Sequence, residues 1–72
     1  MIWTDNNFQE YAAERFNEKY PKSLHYSPSE ALAKNFIYRS CKILSRSELD
    51  TIENNPIFKE LMKKYKQWLS IA

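Results

Sequence analysis

His25 and Cys41 are the single histidine and the single cysteine of the chain. These side-chain types serve most readily as a base and a nucleophile near neutral pH. Either role needs companions: a carboxylate to orient the imidazole, further His, Cys, Asp or Glu at ligand spacing, or a cation beside the thiol. His25 has no paired carboxylate in a recognisable pattern. Cys41 falls on the inward arc of a helical stretch, where a free cysteine packs as a small hydrophobe. The residues therefore predict no catalytic constellation, no metal site and no cofactor, and the chain is expected not to be an enzyme.

The spacing that points to chemistry is one of cations and aromatics. Lys34, Tyr38 and Lys42 recur every four residues and form one row on a helix, with Asn35 and Arg39 beside them. A tyrosine among cations on a polar face is not required by a core. It suits an acidic protein surface or a stacked base. Tyr11 and Arg15, at the margin of an earlier apolar stripe, extend that patch if they fold nearby. A second set lies in NNPIFKELMKKYKQWLS, from Asn54 to Ser70. There Ile57, Phe58, Leu61, Met62, Tyr65, Trp68 and Leu69 occupy an arc of about 140° at 100° per residue. Lys59, Glu60, Lys63, Lys64, Lys66 and Gln67 fill the rest.

Two readings of this stretch compete. In one it is a core helix with a solvated back, Glu60 and Lys64 standing in the favourable order one turn apart. In the other it is the second helix of a helix-turn-helix, with Lys59, Lys63 and Lys66 on phosphates. Three features favour the first. The leading turn is Pro56-Ile57-Phe58, where polar base-reading groups belong. The cations are lysines, which suit phosphates better than base edges. The net charge is only +2.

The elements that must position these residues are helices. With 72 residues, 43% of them hydrophobic and 15% aromatic, the chain has the composition of one small folded domain. Glycine is absent, which removes Gly-built phosphate loops and the residue that most easily adopts positive φ. A first helix is expected after Thr4 or Asp5, ending near Lys19 before Pro21. Its apolar stripe is Phe8, Ala12, Phe16 and Tyr20, widened by Ala13. Lys22 to Ser27 is a connector in which Leu24 and Tyr26 can dock. Ser27-Pro28-Ser29-Glu30 reads as a capping box opening a second helix to about Leu44, with an inward arc of Leu32, Ala33, Phe36, Ile37, Ser40, Cys41, Ile43 and Leu44. Ser45-Arg46-Ser47-Glu48 opens a short third helix carrying Leu49 and Ile52. Asn54-Asn55-Pro56 ends it through a left-handed or capping asparagine and starts the fourth helix, which runs to about Leu69.

The fold class expected is all-α: one domain over residues 1–72, a compact four-helix arrangement with a short third helix, packed as an irregular or orthogonal bundle. MIWTDNNFQEY lacks a basic region followed by an apolar run, and no apolar run approaches the roughly 20 residues of a membrane span. A lone cysteine gives no disulfide framework, and a cytoplasmic protein is expected. Trp3-Thr4-Asp5, Tyr20-Pro21 and Trp68-Leu69 bear a scattered resemblance to the small acidic adaptor of bacterial iron–sulfur assembly. The spacing differs and the acidic balance is missing, so no function is carried across. The expected role is a small protein-binding module, an adaptor, inhibitor or regulator, acting through Lys34, Tyr38, Arg39 and Lys42 on a partner with an acidic surface. The alternative is a DNA- or RNA-binding regulator using Lys59, Lys63 and Lys66. Homodimerisation is a further expectation, because surplus aromatics gain core by pairing.

Overall fold

A computed structural model of the protein describes residues 1–20 and 25–71. Four α-helices carry it: α1 (Asn6–Lys19), α2 (Glu30–Cys41), α3 (Arg46–Asp50) and α4 (Pro56–Ile71), with 3-10 turns at Ile2–Thr4 and Ile52–Asn54. The fold is all-α with a short third helix, and no strand occurs among the described residues. The chain divides into two compact units, Met1–Phe36 and Ile37–Ala72, the division falling inside α2.

In the first unit, Asp5 caps α1. Its carboxylate accepts from the N–H groups of Asn7 at 2.8 Å and Phe8 at 3.4 Å, two of the donors a helix start leaves unpaired. Phe8, Ala12, Ala13 and Phe16 are buried as their spacing predicts, and Tyr20, the C-cap, is half-buried. Tyr11 is also core, at 2% exposure, so it cannot extend a surface patch. The reason is Phe36: its ring meets Phe8, Tyr11 and Phe16 at centroid distances of 6.0, 5.7 and 6.0 Å, the Tyr11 contact edge-on. Such pairs add about 0.5–1.5 kcal/mol each beyond the area they bury. Trp3 is buried in the leading 3-10 turn, and its carbonyl accepts from the Gln9 amide at 3.0 Å.

The connector docks through Tyr26. The Asn17 side chain grips its backbone twice, donating to the Tyr26 carbonyl at 3.1 Å and accepting from its N–H at 2.8 Å. The Tyr26 ring lies 5.2 Å from Phe16. The expected docking of Leu24 lies outside the described residues, as do Lys22 and Ser23. The cap of α2 sits one serine later than expected: Ser29, not Ser27, accepts from Leu32 N–H, at 3.1 Å. The helix starts at Glu30, so Ser29 stands in the cap position immediately before it and Ser27 lies outside the helix. Glu30 then pairs forward with Lys34 at 3.4 Å instead of reaching back.

In the second unit, α2 ends at Cys41, three residues short of the expected Leu44. Lys42 takes φ 56°, the left-handed region, and Ile43 N–H donates to the Tyr38 carbonyl at 3.2 Å. This is the six-residue closure that commonly terminates helices. It turns Ile43 into the core at 6% exposure and leaves Leu44 93% exposed, removing Leu44 from the inward arc. Ser45 caps α3 by accepting from Glu48 N–H at 3.3 Å, and the Glu48 carboxylate reaches back to Leu44 N–H at 3.0 Å. The α-helix stops at Asp50, and Ile52 is buried from the 3-10 turn that follows. Asn55 caps α4, accepting from Ile57 N–H at 2.8 Å and Phe58 N–H at 3.2 Å, with Pro56 in the first helical position. Its backbone is extended, φ −79°. The left-handed residue among those described is thus Lys42 rather than an asparagine. α4 runs on to Ile71, two residues beyond expectation. Its buried stripe narrows to Phe58, Leu61 and Tyr65, while Ile57 and Leu69 are 42% and 38% exposed.

Two substitutions check these boundaries in urea denaturation. Asn55→Ala removes the cap of α4 and should lower the unfolding free energy by about 1 kcal/mol. Lys42→Gly relieves a side chain in the left-handed region and should raise it by about 0.5–1 kcal/mol, net of the added freedom of the unfolded chain.

Candidate functional site

The row expected on α2 is built unevenly. Lys34 is half-buried, and its ammonium is shared between Glu30 and the Trp3 ring, 5.9 Å from the ring centroid. A cation already paired and held over an indole has less to give a partner. Tyr38, one turn further along α2, is half-buried, and Arg39 is exposed beside it. Lys42 is exposed but has left the helix, so its side chain departs from the row that continued helical spacing predicts. Arg15 stands over the Tyr11 ring at 5.2 Å and pairs with Glu18 at 3.0 Å, which accounts for its position without a ligand.

On α4, Lys59, Lys63 and Lys66 are all exposed, within about 60° of one another and opposite the buried stripe. Lys63 pairs with Glu60 at 3.3 Å, so the i, i+3 partner displaces the expected Lys64. Exposed pairs of this kind stabilise by at most about 1 kcal/mol and do not prevent a cation from meeting a new anion.

Charge is divided between the units. Residues 1–36 hold four basic and five acidic side chains, net −1; residues 37–72 hold seven basic and four acidic, net +3. The whole positive surplus of the protein therefore stands in the second unit. The net charge of +2 alone does not reveal this, because it sums over both units.

Cys41 is 2% exposed, and burial raises its thiol above the ordinary value of 9.0. A buried protonated thiol is a poor nucleophile. His25 is exposed. Among the described residues no group of His, Cys, Asp and Glu is arranged to hold a metal ion. An open hollow of about 240 Å³ is lined by Ile43, Glu48, Thr51, Asn54 and Asn55. Three of its polar side chains serve the backbone: Glu48 accepts from Leu44 N–H just ahead of α3, Asn55 accepts from Ile57 N–H at the start of α4, and Thr51 donates to the Ser47 carbonyl at 3.3 Å. No helix of the described residues is long and apolar enough to cross a membrane. No protein-family model matches the chain, and neither a curated protein nor a solved structure does.

The sequence reading did not anticipate the diversion of Lys34 by Trp3, nor the exposure of Leu44, Leu69 and Ile71. The first has no local signal, since 31 residues separate the pair. The second follows from where the core ends, which periodicity does not report.

Cys41 offers a direct check. Alkylation by iodoacetamide at neutral pH should be slower in the native protein than in urea by orders of magnitude. The raised thiol also sets a sign: the native state keeps its full share of stability below pH 9.0 and loses it as pH rises toward the folded-state value. The Cys41→Ser variant should lose less stability between pH 8 and pH 10, measured by denaturation, than the parent.

Proposed function

We propose that the protein is a small non-enzymatic binding module that engages an acidic surface of another protein. Tyr38 supplies an aromatic anchor, with Arg39 and Lys42 as cationic neighbours and Lys34 as a lesser contributor. The observation that carries this reading is the half-buried Tyr38 ring beside exposed cations, in the unit that holds the positive surplus. Aromatic anchors with charged rims give affinity at the ring and association rate at the rim. The mechanism is occlusion or bridging.

The second reading, a nucleic-acid binder using Lys59, Lys63 and Lys66, is supported by the exposed lysine ridge of α4. It is weakened by the leading turn, where Phe58 is buried and Pro56 and Ile57 offer no polar group to a base. Such binding would be weak in sequence preference and steep in salt.

Fluorescence anisotropy separates the two. A labelled glutamate-rich amphipathic helical peptide and a labelled mixed-sequence duplex are titrated at low and near-physiological salt. The proposal expects peptide binding that Tyr38→Ala weakens about tenfold, as loss of a hot-spot residue does, with Lys63→Ala nearly silent. Duplex binding that weakens with each lysine removed, and whose salt slope falls by about one unit per lysine, would replace it with the nucleic-acid reading.

A further inference from the structure

The apolar stripe of α4 outlasts the core that covers it. Phe58, Leu61 and Tyr65 are buried, but in the following turn Leu69 is 38% and Ile71 86% exposed. Trp68 is half-buried, one face stacked on Tyr65 at 6.3 Å. At 100° per residue, Trp68, Leu69 and Ile71 spread over about 160° of the helix, so they radiate rather than form one narrow ridge. Lys63, Lys64 and Lys66, all exposed, span a comparable arc behind them. Their α-carbons lie about 8–12 Å further down the helix axis from Ile71, at 1.5 Å per residue. No residue from 61 to 71 is acidic.

An apolar end with a collar of cations fits one environment better than the others. A phosphate backbone offers the aliphatic side chains nothing. A protein groove grips one stripe of a helix, and here the side chains diverge. The interface of a lipid bilayer accepts tryptophan and aliphatic groups from all directions to a depth of about 5–10 Å. Anionic headgroups then attract the lysines at about headgroup height, and the lysine stems can reach along the helix to meet them. Charge complementarity selects an anionic surface over a neutral one.

We propose that the end of α4, from Lys63 to Ile71, docks on an anionic lipid surface, with Trp68, Leu69 and Ile71 entering the interface and Lys63, Lys64 and Lys66 meeting the headgroups. This association is peripheral, and it is independent of the Tyr38 surface.

The test is co-sedimentation of the intact protein with vesicles of phosphatidylcholine alone and of phosphatidylcholine mixed with phosphatidylserine. The proposal expects sedimentation with the mixed vesicles only, weakened by salt, with a blue shift of Trp68 emission. Trp3→Phe, which keeps an aromatic ring in the core, leaves Trp68 as the reporter. The double variant Leu69→Asp/Ile71→Asp alters exposed positions, and circular dichroism checks that it stays helical. It should cut binding at least about tenfold through lost apolar burial and added repulsion. Lys63→Gln/Lys64→Gln/Lys66→Gln should do the same, while Tyr38→Ala sediments like the parent, which keeps this outcome separate from that of the acidic-protein reading. The proposal is overturned by failure to sediment with the mixed vesicles. Sedimentation undiminished in a Leu69→Asn/Ile71→Asn variant, which adds no charge, would overturn it equally, because that marks bare electrostatic attraction.

Discussion

A chain without glycine must make its helix boundaries from side chains, and the structure depends on four of them. Asp5, Ser29, Ser45 and Asn55 each place an oxygen on a backbone N–H that the helix it opens leaves unpaired. At the far end of α2, where glycine is the usual closing residue, Lys42 takes the left-handed conformation instead. That closure redirects the chain so that Ile43 enters the core and Ser45 stands where it can cap α3. These short-range hydrogen bonds are worth about 1 kcal/mol each, which matters in a domain whose total stability is about 5–15 kcal/mol at most.

Packing in the first unit centres on Phe36. Its contacts with Phe8, Tyr11 and Phe16 tie α2 to three turns of α1, and Asn17 fastens the connector to the same helix through the Tyr26 backbone. Part of the aromatic surplus is thereby absorbed within the unit itself: Trp3 and Tyr11 are core residues. The half-buried rings are divided between the units, Tyr20, Tyr26 and Phe36 in the first and Tyr38 and Trp68 in the second, while the α4 lysines and the net charge of +3 stand in the second.

Much of the architecture was legible in the residues. Asp5 as a cap, the end of α1 at Lys19, the box at Ser45 and the asparagine–proline start of α4 are local signals whose physics lies within four residues. Periodicity found Phe8, Ala12 and Phe16, and likewise Phe58, Leu61 and Tyr65. The site was less legible. The row of Lys34, Tyr38 and Lys42 was read from spacing alone. Spacing cannot show that Glu30 and Trp3 hold Lys34, or that Lys42 lies past the helix end.

By itself the sequence determined an all-α chain, the types of its caps and the short third helix, because these rest on neighbours within a turn or two. Only the tertiary structure decided that Tyr11 is buried while Leu44 and Leu69 are not, and where Lys34 spends its charge. Each of these depends on a residue distant in sequence or on where the core stops. An apolar residue has the same pattern whether or not something covers it, and a cation has the same spacing whether or not a partner already holds it.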